Sequence, residues 1–415
     1  MSSSSSSSTA GRARLPLAVT LLSLCQALLV SGNILLIAVS PLIGAQLASS
    51  SWSTAPVATQ WLGLMCATIP ASLITARLGR RRGFVLGNLC GLAGAGLAVL
   101  ALHLQHFGLF LFSTWLVGIG IGFGQLYRFA AMEAAPPEQR ERAIGLVMGG
   151  GVLAAFFGPW LARTSHALAD TPFLGSFLGL GALYLVALLL LAFIRLPSEG
   201  SAQSDGDDEP EPARPLGVIL RQPTFLLAVL SAMVGYGVMN LAMTATPLAM
   251  AHAGHGFDHV ATTIQWHVVA MFLPSFFTGR LTARFGTGTM IITGCAFLLA
   301  SLGTAQLLAA GYLTGTQGFF LGLILLGIGW NFTFLPATTL LTRCHRPNEK
   351  ARTQAANEFL VFTTGAVTAL LAGPLVSTLG WALLNLLLIP ACLLPVALLA
   401  WRQLALRTDR PQIQH

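Results

Sequence analysis

Two pairs of donor side chains stand four residues apart in otherwise apolar sequence: Met239 and Met243, then His267 and Met271. On a helix, residues i and i+4 share one face, so each pair presents its donors together. Thioether sulfur is a soft, uncharged ligand that favours Cu(I), and imidazole accepts several metals. Uncharged ligands suit a carrier that must release its cargo. A hard cation would need oxygen ligands, and carboxylates are scarce in these segments. The pairs flank a short turn around His255, with Met243 and His267 at equal separations from it and Met239 and Met271 at equal, larger ones. Two antiparallel helices would place the pairs as two facing rungs, roughly 12–18 Å below the surface. The turn carries Met250, His252, His255, Asp258 and His259. These read either as a site that captures metal or as a solvated turn. Methionine is also a common gap-filler in helix packing, so the alternative for the rungs is plain core.

The elements that would hold these residues are set by composition. Of 415 residues, 54% are hydrophobic and only 9% charged. Soluble domains carry about 25% charged residues, so lipid is the solvent that fits this chain, and long apolar segments read as helices. Such segments lie near 17–44, 54–76, 83–103, 107–130, 142–166 and 172–195, then near 224–251, 259–281, 287–310, 315–341, 353–379 and 382–402. Between the two sets runs a polar stretch with Glu199, Asp205, Asp207, Asp208, Glu209 and Glu211 among Pro, Ser and Gly, a linker composition. The expected organisation is a disordered tail at 1–14, a six-helix bundle at 15–196, a linker at 197–220, a second six-helix bundle at 221–403 and a tail at 404–415. The fold class is an all-α membrane protein with twelve transmembrane helices in two pseudo-symmetric six-helix bundles.

Charge placement gives the expected orientation. Arg77, Arg80, Arg81 and Arg82 follow the second segment, Arg140 and Arg142 the fourth, Arg280 and Arg284 the eighth, and Arg343, Arg346, Lys350 and Arg352 the tenth. Only Arg163 of the 22 basic residues falls clearly on the other side. The positive-inside rule then puts both termini in the cytoplasm. The net charge of +8 is distributed between spans and does not mark a nucleic-acid surface. An internal repeat supports the two halves: Thr75 to Gly79 (TARLG) recurs as Thr282 to Gly286 (TARFG), Gln60-Trp61 as Gln265-Trp266, and Pro137 to Arg142 echoes Pro347 to Arg352. Duplicated transporters place substrate near the midplane between their halves.

Other residues have weaker claims. Cys25, Cys66, Cys90, Cys295, Cys344 and Cys392 are scattered without paired spacing and read mainly as packing residues, although Cys25, Cys66 and Cys295 could add thiolates in transit. Arg128 and Glu133 could pair as a cytoplasmic gate, and Glu358 is the best candidate for proton coupling. Gly149 to Gly151 and Gly158-Pro159 suit close packing and bending. No nucleophile elbow, HExxH or P-loop is present, which argues against an enzyme.

The loop Arg77 to Arg82 (RLGRRR) resembles that between spans two and three of the major facilitator superfamily, and the resemblance extends over essentially the whole chain. Ala76, Ser72 and Thr114 stand where that family usually has Asp, Gly and Arg. The last change weakens any inference of proton coupling from the drug/proton antiporters. Within the superfamily, the MxxxM and HxxxM pairs, with Gln125 to Ala131 and Gly329 to Phe332, resemble the CcoA-type copper importers. That resemblance implies inward transport of copper through Met239, Met243, His267 and Met271, with copper as cargo and no cofactor, in a monomeric protein of the bacterial inner membrane. Riboflavin transporters of the same subgroup are similar in sequence. Import of riboflavin or another organic solute, or drug/proton export, is therefore the alternative, with Trp61, Trp266 and Trp330 stacking on the substrate.

Overall fold

The computed structural model describes residues 15–194, 196 and 213–408. Ten of its helices are long and apolar enough to cross a membrane, and the bent pair Phe257–Phe272 and Ser275–Phe285 makes an eleventh crossing. One of the ten, Lys350–Thr408, runs for 59 residues and is interrupted at Gly380, where φ is 75° and ψ 173°. Divided there, it supplies two crossings, so the described residues cross twelve times. Spans one to six are Leu17–Leu47, Ala55–Leu78, Arg80–His103, Phe107–Ala134, Arg140–Ser165 and Leu174–Phe193. Spans seven to ten are Pro223–His252, the bent pair, Thr287–Ala309 and Gly315–Leu341, and the two parts of Lys350–Thr408 are eleven and twelve. No strand occurs among the described residues.

Two spans are broken where the sequence weakens the helix. Span eight bends by 42° between its two parts. Pro274 sits at the break; it has no N–H to donate and its ring crowds the preceding turn. Span four loosens after the glycine-rich stretch Gly118 to Gly124, so that Phe107–Gly124 and Tyr127–Ala134 meet at a single turn. The repeated TAR(L/F)G segments adopt the same backbone: Gly79 and Gly286 both have φ 86°, with ψ 152° and 153°. A side chain is strained at that φ, and glycine is not. Each glycine ends one span and starts the next.

Packing repeats between the halves in the same way. Span one lies on span five through Gly150 and Gly158, which approach the backbone of Ser23 and Ser31. Span seven lies on span eleven through Gly237 against Thr364. Span two meets span four at Gly63 and Gly118, each pressed on the other helix's backbone, and span eight meets span ten at Gly327. Small residues allow helix axes this close where lipid offers no hydrophobic drive for association. Leu153, Leu189 and Phe276 are 62%, 64% and 62% exposed, a cost in water that a lipid-facing surface does not carry.

The halves touch where span one meets span seven and along two further seams. Spans two and eleven join at Thr54, whose hydroxyl accepts from the Gly373 N–H at 2.9 Å. Spans five and eight join where an Arg163 Nη donates to Thr262 Oγ1 at 3.0 Å and where Phe156 meets Trp266 edge-on. One apolar core runs across both halves and includes Ile34, Trp61, Met239 and Trp330. Residues 1–14 and most of the expected linker lie outside the described residues. Of the linker's end, Leu216–Leu220 is a short helix with Ile219 buried in the second half's core.

Candidate functional site

An aromatic cluster fills the centre of the molecule where the halves meet. Tyr236 on span seven and Trp330 on span ten both lie near the middle of their helices, with ring centroids 5.9 Å apart at 75°. Phe334, one turn from Trp330, stacks on its indole at 5.2 Å and 12° and meets Tyr236 at 5.4 Å. Phe272 adds an edge from span eight at 6.2 Å. The other half contributes Trp61 from span two, 5.4 Å from Tyr236 and 6.0 Å from Phe362 on span eleven. Trp61 is seated by Gly365, whose missing side chain leaves room for the indole.

Several buried polar groups on or next to the cluster's residues have no partner among the described residues. The indole N–H groups of Trp61 and Trp330 are buried without an acceptor, as is the amide oxygen of Gln60 without a donor. The Gln60 side-chain nitrogen donates to the amide oxygen of Asn33 on span one. A buried, unpaired N–H costs roughly 1–3 kcal/mol. Aromatic faces, two donors and one acceptor form the kind of mostly apolar site with a few placed polar groups that holds a small organic molecule.

The four sequence-derived ligands are all deeply buried: Met239, Met243, His267 and Met271 are 3%, 4%, 0% and 7% exposed. Their helices are secured by different neighbours. Asn240, beside Met239, donates to the Gly365 carbonyl and to Thr368 Oγ1, which ties span seven to span eleven. His267 Nδ1 lies 2.7 Å from the Leu323 carbonyl, and the Met271 carbonyl accepts from Asn331, which ties span eight to span ten. A carbonyl only accepts, so Nδ1 carries the hydrogen of this bond. The His267 Nε2 has no partner among the described residues. Met239, Met243 and Met271 share the central core with Trp330.

The turn between spans seven and eight does not gather its donors. Met250 is fully buried, whereas His252, Asp258 and His259 are exposed. His255 and His259 lie 6.0 Å apart, and His255 rests on Phe319. Among the described residues no group of three or more His, Cys, Asp or Glu is placed to hold a metal ion. None of the six cysteines forms a disulfide, and four are buried as packing residues. Trp266, the repeat partner of Trp61, is 42% exposed between Phe156 and Phe320, away from the central cluster. The repeat thus places one tryptophan in the centre and the other on a seam.

The family model of the Major Facilitator Superfamily matches residues 20–367, most of the chain. The chain belongs to the Major Facilitator Superfamily. It is 39% identical over 374 residues to the riboflavin transporter RfnT of Brucella anthropi, covering 90% of this chain and 92% of the relative. It is 32% identical to the uncharacterized MFS-type transporter YddS of Bacillus subtilis, over 81% of this chain and 80% of that one. A D-xylose–proton symporter superposes with a TM-score of 0.70 at 14% identity, covering 91% of this chain and 96% of the other. A bacterial homologue of the lysosomal transporter Spinster, in an inward-facing and occupied conformation, gives 0.68 at 18%, covering 95% and 98%. The finer resemblance to copper importers is not supported by these relatives. The Met and His spacing belongs to a chain that is well matched to a riboflavin transporter.

In this facilitator the charged residues pair differently from the expectation. Arg128 does not reach Glu133; an Arg128 Nη lies 3.4 Å from Glu358 of span eleven. Glu133 instead receives two bonds from Arg80, at 2.6 and 3.1 Å. Residues five apart on a helix point roughly 140° away from each other, so Arg128 and Glu133 face different neighbours. The Arg128–Glu358 pair crosses between the halves at the end of the facilitator that carries most of its arginines. Both side chains are about one-third exposed, at 36% and 33%.

The PNEKAR segment hides a second charge site that spacing alone did not reveal. Glu349 is fully buried and accepts from the Arg214 backbone N–H at 2.8 Å, from the Arg214 guanidinium at 2.9 and 2.6 Å, and from the Arg346 N–H at 3.0 Å. Arg352 lies 3.9 Å away and also donates to the Arg214 carbonyl. The Arg214 hydrogen bonds hold the Glu349 carboxyl far below the usual carboxylate range, and Glu349 in turn raises Arg214. The facilitator thus anchors the start of its second half to the turn between spans ten and eleven. The echo of Pro137 to Arg142 was the available signal, but Arg214 lies too far away in sequence for spacing to show the pairing.

Proposed function

We propose that this chain is a secondary transporter that carries a planar aromatic solute of the riboflavin kind into the cytoplasm by alternating access. The observation that carries this reading is the central cluster of Trp61, Tyr236, Trp330, Phe334 and Phe362, drawn from both halves, with two buried indole donors and one amide acceptor left unpartnered. An isoalloxazine ring supplies what such a site lacks: a flat π-face for the rings and carbonyl and N–H edges for the polar groups. The riboflavin transporter of Brucella anthropi, 39% identical over nearly its whole length, supports the same choice. The basic face is assigned to the cytoplasm, with both termini there and the protein in a bacterial inner membrane. The Thr54–Gly373 bond closes the far side of the seam, while Arg128–Glu358 joins the cytoplasmic side through one accessible ion pair. That pair acts as a gate. Because Glu358 is committed to Arg128, gating suits it better than carrying a proton. The test is uptake: a riboflavin auxotroph expressing the protein grows on micromolar riboflavin, and Trp330→Ala abolishes that growth at equal expression. Growth of the Trp330→Ala strain at the parent rate overturns the site.

Copper import through Met239, Met243, His267 and Met271 is the second reading. The observation in its favour is that all four are buried and that His267 Nε2 has no partner among the described residues. Uptake of ⁶⁴Cu that falls to background in both Met239→Leu and His267→Ala, with riboflavin uptake intact, would favour it over the organic solute.

A further inference from the structure

Spans five and six both lie against span one but part from each other on the membrane side. Gly150 and Gly158 bring span five onto span one, and Gly32 brings span one onto Leu180 and Leu183 of span six. The space between is a groove of about 710 Å³. Ala27 of span one lies at its floor, Leu153 and Trp160 of span five form one wall, and Val186 of span six forms the other. Leu153, Trp160 and Val186 are 62%, 49% and 44% exposed, so the groove opens to the hydrocarbon.

Arg163 and Gln265 also line the groove and are the polar side chains at its far end. Arg163 stands about 15 Å along span five from Leu153, at the face opposite the basic one. Among the described residues it is the only Arg or Lys on that side. One of its nitrogens donates to Thr262 of span eight. Its other N–H groups form a planar fork that matches phosphate oxygens. Gln265 belongs to span eight, so the polar end of the groove bridges the two halves.

We infer that this groove binds one phospholipid of the outer leaflet, with an acyl chain laid along Leu153 and Trp160 and the phosphate held by Arg163 and Gln265. The ligand chemistry follows from the site: a groove open to lipid excludes water, its walls are apolar, and its single charge is a cation at headgroup depth. The position adds a consequence. The outward-open state requires spans five and eight to separate at this end, and a headgroup that touches both holds them together. The lipid therefore favours the outward-closed conformation.

Native mass spectrometry of the detergent-purified protein, titrated with phosphatidylglycerol and phosphatidylethanolamine, tests this. The parent is expected to retain one lipid through delipidation. Arg163→Gln should bind it about tenfold more weakly. Val186→Trp fills the exposed wall without entering the core and should lose the same lipid. Both variants should keep their melting temperature in detergent without added lipid. A phospholipid with a photoreactive acyl chain should label the Leu153 to Trp160 segment above the lipid-facing Leu386 and Leu387 of span twelve. Equal retention in the parent and both variants, or even labelling of all membrane faces, overturns the proposal. Full displacement by sn-glycerol 3-phosphate, which has no acyl chain, also overturns it, because the site would then be one for a free anion.

Discussion

Replacing Trp330 by Phe separates a substrate-binding tryptophan from a structural one. In the structure the Trp330 indole N–H is buried and unpartnered, while its ring is 6% exposed and stacked on Phe334. Phenylalanine keeps a ring for the stack and removes the N–H. For stability two terms oppose each other. Losing part of the buried ring costs about 1–2 kcal/mol. Removing an unsatisfied buried donor returns roughly 1–3 kcal/mol. The net is near zero, so the melting temperature should stay within a few degrees of the parent. For transport only one term acts. With substrate bound, the N–H meets an acceptor, and its loss costs about 1–1.5 kcal/mol, which raises the riboflavin KM about tenfold. The assay is radiolabelled riboflavin uptake in proteoliposomes, alongside thermal unfolding of the same preparations. Trp61→Phe should behave alike, because its N–H is equally unpartnered. The reasoning is refuted if either variant transports with the parent KM, or if the melting temperature drops by ten degrees or more while transport is unchanged.

Three other perturbations probe separate parts of the molecule. Arg128→Glu and Glu358→Arg each place like charges across the seam and should slow transport at least tenfold, whereas the double exchange should restore much of it; a double variant as slow as the singles removes the gate. Glu349→Gln should lower the unfolding temperature, because it leaves Arg214 without its buried carboxylate partner. Since the folded carboxyl is held below its usual range, its contribution is fully present above about pH 4.3 and fades only as pH falls through the lower folded value. The unfolding temperature difference between parent and Glu349→Gln should therefore be constant from pH 8 to pH 5. Met239→Leu conserves volume in the core and should leave riboflavin uptake within about twofold of the parent; a collapse of riboflavin uptake at equal expression would place Met239 in the solute site.

The apolar helices were legible because each depends on local properties. A run of apolar residues long enough for a bilayer is visible without knowing its neighbours, and so is an arginine between two such runs. The TARLG and TARFG repeat was legible as a sequence echo, and the structure adds that Gly79 and Gly286 take the same φ and ψ in the two turns.

What only the tertiary structure decided is which side chains meet. Spans seven and eight follow each other in sequence, yet Asn240 fastens one to span eleven and His267 fastens the other to span ten. Trp61 and Trp266 occupy repeat-related positions, yet one joins the aromatic centre and the other rests at a seam. Glu358 finds Arg128 across 230 residues, and Glu349 finds Arg214 across 135. Composition and periodicity tell that a helix exists and where it ends. The rotation of each helix about its axis, and the partner it turns toward, come from close packing among all twelve spans at once, and no single segment carries that information.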